Sequence, residues 1–219
     1  MTTITNEKYD FTVKVNNEVD RARFIDLESE EEYIDTIREL VPGMIFMDIG
    51  ACVGLHTLAT MKLAKAVISI EPDPRNYANL VKYITSNNGN NVVPINVAVK
   101  NKRGSIKLYA EGERSDSPNT MPPSTNSLFT YTKANTYTQL IRSYDIPNIV
   151  KIDIEGDEWE IIEDVVKSEP DYICIEIHPN MMFKRGKEIG DVVLPLESKY
   201  NLVEQYPHGY QTNQIWKLR

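Results

Sequence analysis

The chain has 219 residues, with 24 Lys and Arg against 32 Asp and Glu, a formal net charge of −8 at pH 7. Hydrophobic residues make up 41% and charged residues 26%, the mix of one soluble globular chain that buries a real core. That acidic balance excludes a broad grip on phosphate backbones, no apolar run nears the roughly 20 residues that span a bilayer, and two distant cysteines exclude a disulfide framework or a cysteine-based zinc site. Met1-Thr2-Thr3-Ile4-Thr5-Asn6 lacks the basic and apolar regions of a secretory leader, so a cytoplasmic location is expected.

Residues 9–26 are predicted to form two short strands around Asn16-Asn17-Glu18, with Phe11, Val13 and Val15 alternating on the first and Arg21 to Ile25 on the second. Ser29 and Glu32 form a capping box for a helix that carries Tyr33, Ile37 and Leu40 on one face, and Pro42-Gly43 stops it. This N-terminal unit, residues 1–43, is expected to pack on a main domain of residues 44–219.

From Met44 the pattern changes to strand, helix, strand. Met44–Ile49, Ala66–Ile70 and Val92–Val99 read as strands, with helices over Leu55–Lys65 and 74–87 between them. Gly104–Tyr109 reads as a fourth strand. Ile149–Ile154 and Tyr172–Ile177 follow, around a helix over Asp157–Lys167 with Trp159, Ile162 and Val166 inward. Leu202–Gln205 and Asn213–Leu218 suggest a closing hairpin. The alternation implies an α/β fold, an open parallel sheet covered on both faces. Residues 111–127, EGERSDSPNTMPPSTNS, are too polar and broken to pack; a loop of that length is expected to be a lid or an insertion.

The segment Asp48-Ile49-Gly50-Ala51-Cys52-Val53-Gly54 lies where a strand turns into a helix, and its glycines allow a tight turn and a close ligand approach. The next strand ends in Glu71, a position where a carboxylate commonly receives a ribose diol. Together they suggest an adenosine-containing cofactor. The G-x-G-x-x-G fingerprint of dinucleotide sites is missing, and Asp48 would repel a pyrophosphate while suiting a cation. S-adenosyl-L-methionine (SAM), with a sulfonium, an ammonium and no phosphate, fits better than NAD. A loop-capping carboxylate is the alternative role for Asp48.

In Lys151-Ile152-Asp153-Ile154-Glu155-Gly156, a period of two sends Lys151, Asp153 and Glu155 to one side. A lysine in a core strand needs a partner, and Asp153 or a carboxylate on the next strand is the natural one. Cys174, Glu176 and His178 alternate likewise. Asp153, Glu155 and His178 should therefore gather beyond the strand carboxyl ends, where α/β sheets bind ligands; an ion-pair network under a turn is the plainer reading. His56 is as well suited to capping or packing as to a ligand contact.

DIGACVGLHTL, ISIEPDPRNYANLVKYI, NVAVKNKRGSIKLY, VKIDIEGDEWEII and ICIEIHP, in that order over about residues 43–179, resemble the FkbM-type SAM-dependent methyltransferases. KIDIEGDE is the most specific block. The resemblance implies a class I methyltransferase sheet of about seven strands, mostly parallel, with an antiparallel strand near one edge. It implies that Asp48, Gly50, Gly54 and Glu71 contact SAM, with Asn96 and its neighbour Ala98 near the adenine and Ala51, Pro72 and Asp73 completing the set. Cys52 stands where the family usually has Asn. Such enzymes methylate hydroxyl oxygens on sugars, lipids or other small molecules.

Methyl transfer needs the acceptor oxygen, methyl carbon and sulfur in line, and a base for the hydroxyl proton. Asp153 is the first candidate, then His178 and Glu155, with Lys151 completing the catalytic set. No resident metal is assigned, although the oxygen and imidazole donors of Asp153, Glu176 and His178 would suit Mg²⁺ or Mn²⁺. An RNA methyltransferase, for which the −8 charge offers no basic recognition surface, and a SAM-binding module without turnover are the alternatives. Residues 111–127 are expected to close over the acceptor, with Arg114, Asp116 and Asn126 as contacts.

Overall fold

Asn17 redirects the N-terminal segment. Its side chain accepts the Asp20 N–H at 2.7 Å and caps α1 (Glu18–Ile25). Arg21–Ile25 are therefore helical rather than a strand, and the hairpin instead joins β1 (Thr2–Asn6) and β2 (Phe11–Val15). The helix wins because it buries Phe24 against Phe11 and Tyr83. The computed structural model describes residues 1–27, 30–110, 120, 128–144 and 146–219. The capping-box residue Ser29 and the lid contacts Arg114, Asp116 and Asn126 lie outside them.

After α2 (Glu31–Leu40), β3 (Ile45–Ile49), α3 (Leu55–Thr60), β4 (Ala66–Ile70), α4 (Pro74–Ser86) and β5 (Val92–Ile95) follow as two strand–helix–strand units. The expected strand Val92–Val99 divides at Asn96. β5 stays in the main sheet, whereas β6 (Ala98–Val99) joins β7 (Gly104–Ala110) and β8 (Leu128–Asn135) in a small separate sheet of order β6-β8-β7. Gly104–Tyr109 is thus a strand, but outside the main sheet. Next come α5 (Tyr137–Ser143), β9 (Ile149–Ile152), a 3-10 turn over Glu158–Glu160, α6 (Ile162–Ser168) and β10 (Tyr172–Ile177). The expected helix over Asp157–Lys167 is divided by that turn, which leaves Trp159 half-buried with the Lys187 ammonium 4.2 Å from its ring centroid. α7 (Pro179–Lys184), α8 (Gly190–Glu197), β11 (Tyr200–His208) and β12 (Gln211–Leu218) complete the chain, the last two as the expected hairpin.

The main sheet has seven strands in the order β11-β12-β10-β9-β3-β4-β5, and β12 runs antiparallel to both neighbours. Both faces are covered. Ile45, Met47, Ile49, Val150, Ile152 and Ile173 pack toward α5, α6 and α8, while Phe46, Val67, Ile149 and Ile215 pack toward the N-terminal hairpin, α2 and α3. Strand order reverses between β3 and β9, so the connections leaving their carboxyl ends part and open a crevice there. Among the described residues no helix is long and apolar enough to cross a membrane.

Candidate active site

The turn after β3 centres the site. A Cβ on Gly50 (φ +81) would stand 1.7 Å from the Asp153 carbonyl oxygen, so only glycine lets the ends of β3 and β9 close. Gly54 (φ +102) precedes α3, and a Cβ there would meet Leu80 at 2.6 Å. Cys52, between them, adopts φ +50, a region that Asn enters more readily. Its N–H donates to Glu71 Oε2 at 2.8 Å, and the Asp73 N–H donates to Glu71 Oε1 at 2.7 Å. Burial pushes the Glu71 carboxyl up to about 8, against the opposing pull of those two N–H groups. Burial also pushes the Cys52 thiol up to about 12, so it keeps its proton at neutral pH and is no nucleophile.

Gly50, Cys52, Glu71 and Pro72 form one side of a narrow crevice of about 80 Å³. Val97, Ala98, Val99, Ile106 and Leu108 form an apolar wall opposite. Its far end is closed by Asp157, which takes the Lys100 ammonium at 2.8 Å, Arg185 Nε at 2.7 Å and the Thr120 hydroxyl at 2.6 Å. Four expected cofactor residues, Gly50, Glu71, Pro72 and Ala98, line this crevice, and Ala51 faces the neighbouring cavity. The others shape the surroundings. Asp73 caps α4 through the Arg75 and Asn76 N–H groups, and Asn96 Nδ2 donates to the Glu71 and Pro72 carbonyl oxygens at 2.8 and 3.1 Å.

Asp48 lies beneath the turn, fully buried. The register that sets Asp48 beside Lys151 and Lys151 beside Cys174 turns all three to one face. Lys151 Nζ stands 3.4 Å from Asp48 Oδ1, 3.2 Å from Asp153 Oδ2 and 3.2 Å from the Gly50 carbonyl oxygen. Thr57 donates to the other Asp48 oxygen at 2.7 Å. Burial would discharge the lysine, but Asp153, Asp48 and Glu176 outweigh it and hold it charged. Burial likewise raises Asp153, but Lys151 and His178 more than reverse this and hold it ionised.

A larger cavity of about 350 Å³ opens beside the crevice and is lined by Glu30, His56, Lys151, Asp153, Glu155, Glu176, His178 and His208. Asp153, Glu155 and His178 come together as expected, but through the turns that follow the strands rather than by alternation along them: β9 ends at Ile152, Glu155 adopts φ +57, and His178 follows the end of β10. His178 Nδ1 lies 2.9 Å from Glu158 Oε1, and its Nε2 lies 3.7, 3.6 and 4.0 Å from oxygens of Asp153, Glu155 and Glu176. Burial lowers its pKa, but Glu158, Asp153 and Glu155 overcome that and raise it to about 10. His56 is buried against Tyr33, and burial with Lys151 nearby keeps it neutral.

Sequence reasoning missed Arg23, Glu158 and the small-sheet wall. Arg23 was expected on a strand, yet α1 carries it to the boundary of crevice and cavity. The acidic pair around Trp159 was the only signal for Glu158. The crevice suits SAM: Glu71 retains lone pairs beyond its two backbone bonds for ribose hydroxyls, and the apolar wall matches an adenine. Asp153, Glu176 and His178 could hold a metal ion, with donor atoms within 4.8 Å of one another.

A family model described as the methyltransferase FkbM domain matches residues 48–203. The hexuronic acid methyltransferase AglP of Haloferax volcanii is 27% identical over 210 residues, covering 93% of this chain and 85% of the relative. TYW2 of M. jannaschii in complex with AdoMet superposes with a TM-score of 0.55 at 14% identity, covering 100% of this chain and 86% of that one. A putative rRNA methylase from Clostridium thermocellum superposes with a TM-score of 0.56 at 11% identity, covering 94% and 98%. These structural likenesses bear on the fold, which they share.

Proposed function

The chain belongs to the FkbM methyltransferase family and is a SAM-dependent methyltransferase, and on that premise we propose that it methylates a hydroxyl oxygen of a sugar-like small molecule. The observation that carries this reading is a shared boundary. Arg23, Gly50, Cys52, Asp153 and Glu155 border both the crevice and the larger cavity. SAM supplies a methyl group already activated on a sulfonium sulfur. Glu71 would accept hydrogen bonds from its ribose, and Ala98, Ile106 and Leu108 would keep water from its adenine. The cavity would hold the acceptor.

The charges of that cavity favour a hydroxyl. The carboxyl groups of Glu30, Asp153, Glu155 and Glu176 line the cavity beside Arg23, Lys151 and His178, a mixed set of hydrogen-bond acceptors and donors that suits a polyhydroxylated acceptor. The sugar class rests on likeness to the Haloferax enzyme, whose name specifies a hexuronic acid. Asp153 or its neighbour Glu155 would take the hydroxyl proton. Lys151 is a positioning residue that keeps Asp153 charged and in place. Asp153→Asn should retain affinity for S-adenosylhomocysteine while lowering turnover about 100–10,000-fold; full turnover would remove Asp153 from the chemistry.

Incubation with methyl-labelled SAM and a panel of neutral glycosides, uronic acids, hydroxylated lipids and RNA tests the acceptor. Label on a neutral sugar that survives mild alkali, as a methyl ether does and an ester does not, is the expected result. Transfer only to a uronate carboxyl, or only to RNA, would overturn it.

A further inference from the structure

We propose that Asp153, Glu176 and His178 bind one divalent cation of the Mg²⁺ or Mn²⁺ class, with Glu158 orienting the histidine. The first support is spacing. His178 Nε2 stands 3.7 Å from Asp153 Oδ1 and 4.0 Å from Glu176 Oε1, with Glu155 Oε2 at 3.6 Å. Each separation is too long for a hydrogen bond. Two atoms each about 2.1 Å from one ion lie about 3.0 Å apart at a right angle and about 4.2 Å apart when opposed. The three distances from Nε2 fall between those limits.

The second support is the state of Nε2. His178 is 2% exposed, and among the described residues the only hydrogen bond of its ring is that of Nδ1 to Glu158 Oε1 at 2.9 Å. An Nε2–H drawn to one carboxylate would close to about 2.8 Å. None has closed: Nε2 faces three carboxylates at nearly equal range, and a divalent ion bound there would take the place of the Nε2 proton. Glu158 is itself fixed: it is fully buried and the same Oε1 accepts the Gly156 N–H at 3.0 Å. A carboxylate behind a histidine sets its tautomer and aims the other nitrogen at a metal. His208 Nδ1, 3.0 Å from Glu176 Oε1, steadies the second carboxylate in the same way. The donors line the larger cavity, which leaves coordination positions open for an acceptor.

This deepens the O-methylation reading and rests on it for the role of the ion. A cation here would hold the acceptor oxygen and lower the pKa of its hydroxyl. The O–H proton would pass to Glu155, the oxygen would form the new O–CH₃ bond, and the S–CH₃ bond would break with its electron pair kept on sulfur as S-adenosylhomocysteine. The ion keeps its oxidation state throughout.

Titration of the full chain with Mn²⁺, followed by electron paramagnetic resonance in the absence of SAM, tests the site. One bound ion per chain with nitrogen coupling from an imidazole is expected. Glu176→Gln and His178→Gln should each weaken binding at least about tenfold, and Glu158→Gln about 10–100-fold. Calorimetry with S-adenosylhomocysteine verifies that each variant is folded. A chain that binds S-adenosylhomocysteine but leaves Mn²⁺ free at millimolar concentration, or binds it without nitrogen coupling, overturns the site and leaves the methyl-transfer reading intact. Coupled Mn²⁺ with no turnover of any hydroxyl acceptor would keep the site and overturn that reading instead.

Discussion

Lys151 is the residue on which the site's charge balance turns. Its ammonium lies between Asp48 and Asp153 with 2% of the side chain exposed, so removing it leaves the fully buried Asp48 without its counter-charge. Truncation of one partner of a buried ion pair costs about 3–5 kcal/mol, and Lys151→Ala should lose that much in urea unfolding. Unchanged stability would mean that water already screens the group. Glu71 makes the opposite kind of prediction. Its carboxyl is raised to about 8 by burial, well above that of an unfolded glutamate. The folded chain therefore holds the proton more tightly, and this contribution to stability, full in acid, is lost as pH rises through about 8. Ribose hydroxyls favour the ionised form, so affinity for S-adenosylhomocysteine should climb over the same range. Both trends should vanish in Glu71→Gln, as calorimetry across pH would reveal.

At the scale of elements, β9 and β10 repeat one device. Apolar residues at alternate positions pack toward α5, α6 and α8, while Lys151 and Cys174 face the other layer and Asp153, Glu176 and His178 emerge where the strands end. The small sheet does something separate. β7 turns Ile106 and Leu108 inward to wall the crevice, while Lys107, Phe129 and Tyr131 stay exposed outside. Leu108→Ser should weaken S-adenosylhomocysteine binding about tenfold through lost apolar contact, at about 0.8 kcal/mol per methylene-sized group. Because Leu108 does not line the cavity that holds Asp153, Glu176 and His178, Mn²⁺ affinity should not follow; parallel losses would indicate that the variant had disturbed the fold.

At the scale of the whole molecule, the cofactor crevice lies between the main sheet and the small one, bordered by side chains from α1, the β3 turn, β7 and the segment after β9. A ligand there ties these parts together and binds only the folded chain. At 100 times its dissociation constant it adds about 2.7 kcal/mol, which for a chain of this size means a Tm rise of about 5–10 °C. Calorimetric scans with and without S-adenosylhomocysteine would measure this, and a shift produced equally by NADH would contradict the cofactor assignment.

The sequence by itself determined whatever depends on periodicity and local backbone chemistry. The apolar runs defined the parallel strands, the glycines of 50–54 defined the turn, and alternation along β10 set Cys174 and Glu176 to one face, whereas Glu155 and Glu158 are placed by the turns after β9. The first three follow from spacing along a single segment, because a strand has only two faces. Tertiary structure decided the partners. Whether Lys151 meets Asp48 depends on β9 pairing with β3, whether His178 meets Glu158 depends on how the 3-10 turn returns to the sheet, and Arg23 reaches the site only because α1 is a helix capped by Asn17. The strand Val92–Val99 was legible as an extended run, but its division between two sheets was not. Hydrogen bonds and ion pairs between residues 20 to 101 positions apart are selected by the packing of whole elements, and no local pattern of side chains encodes that choice.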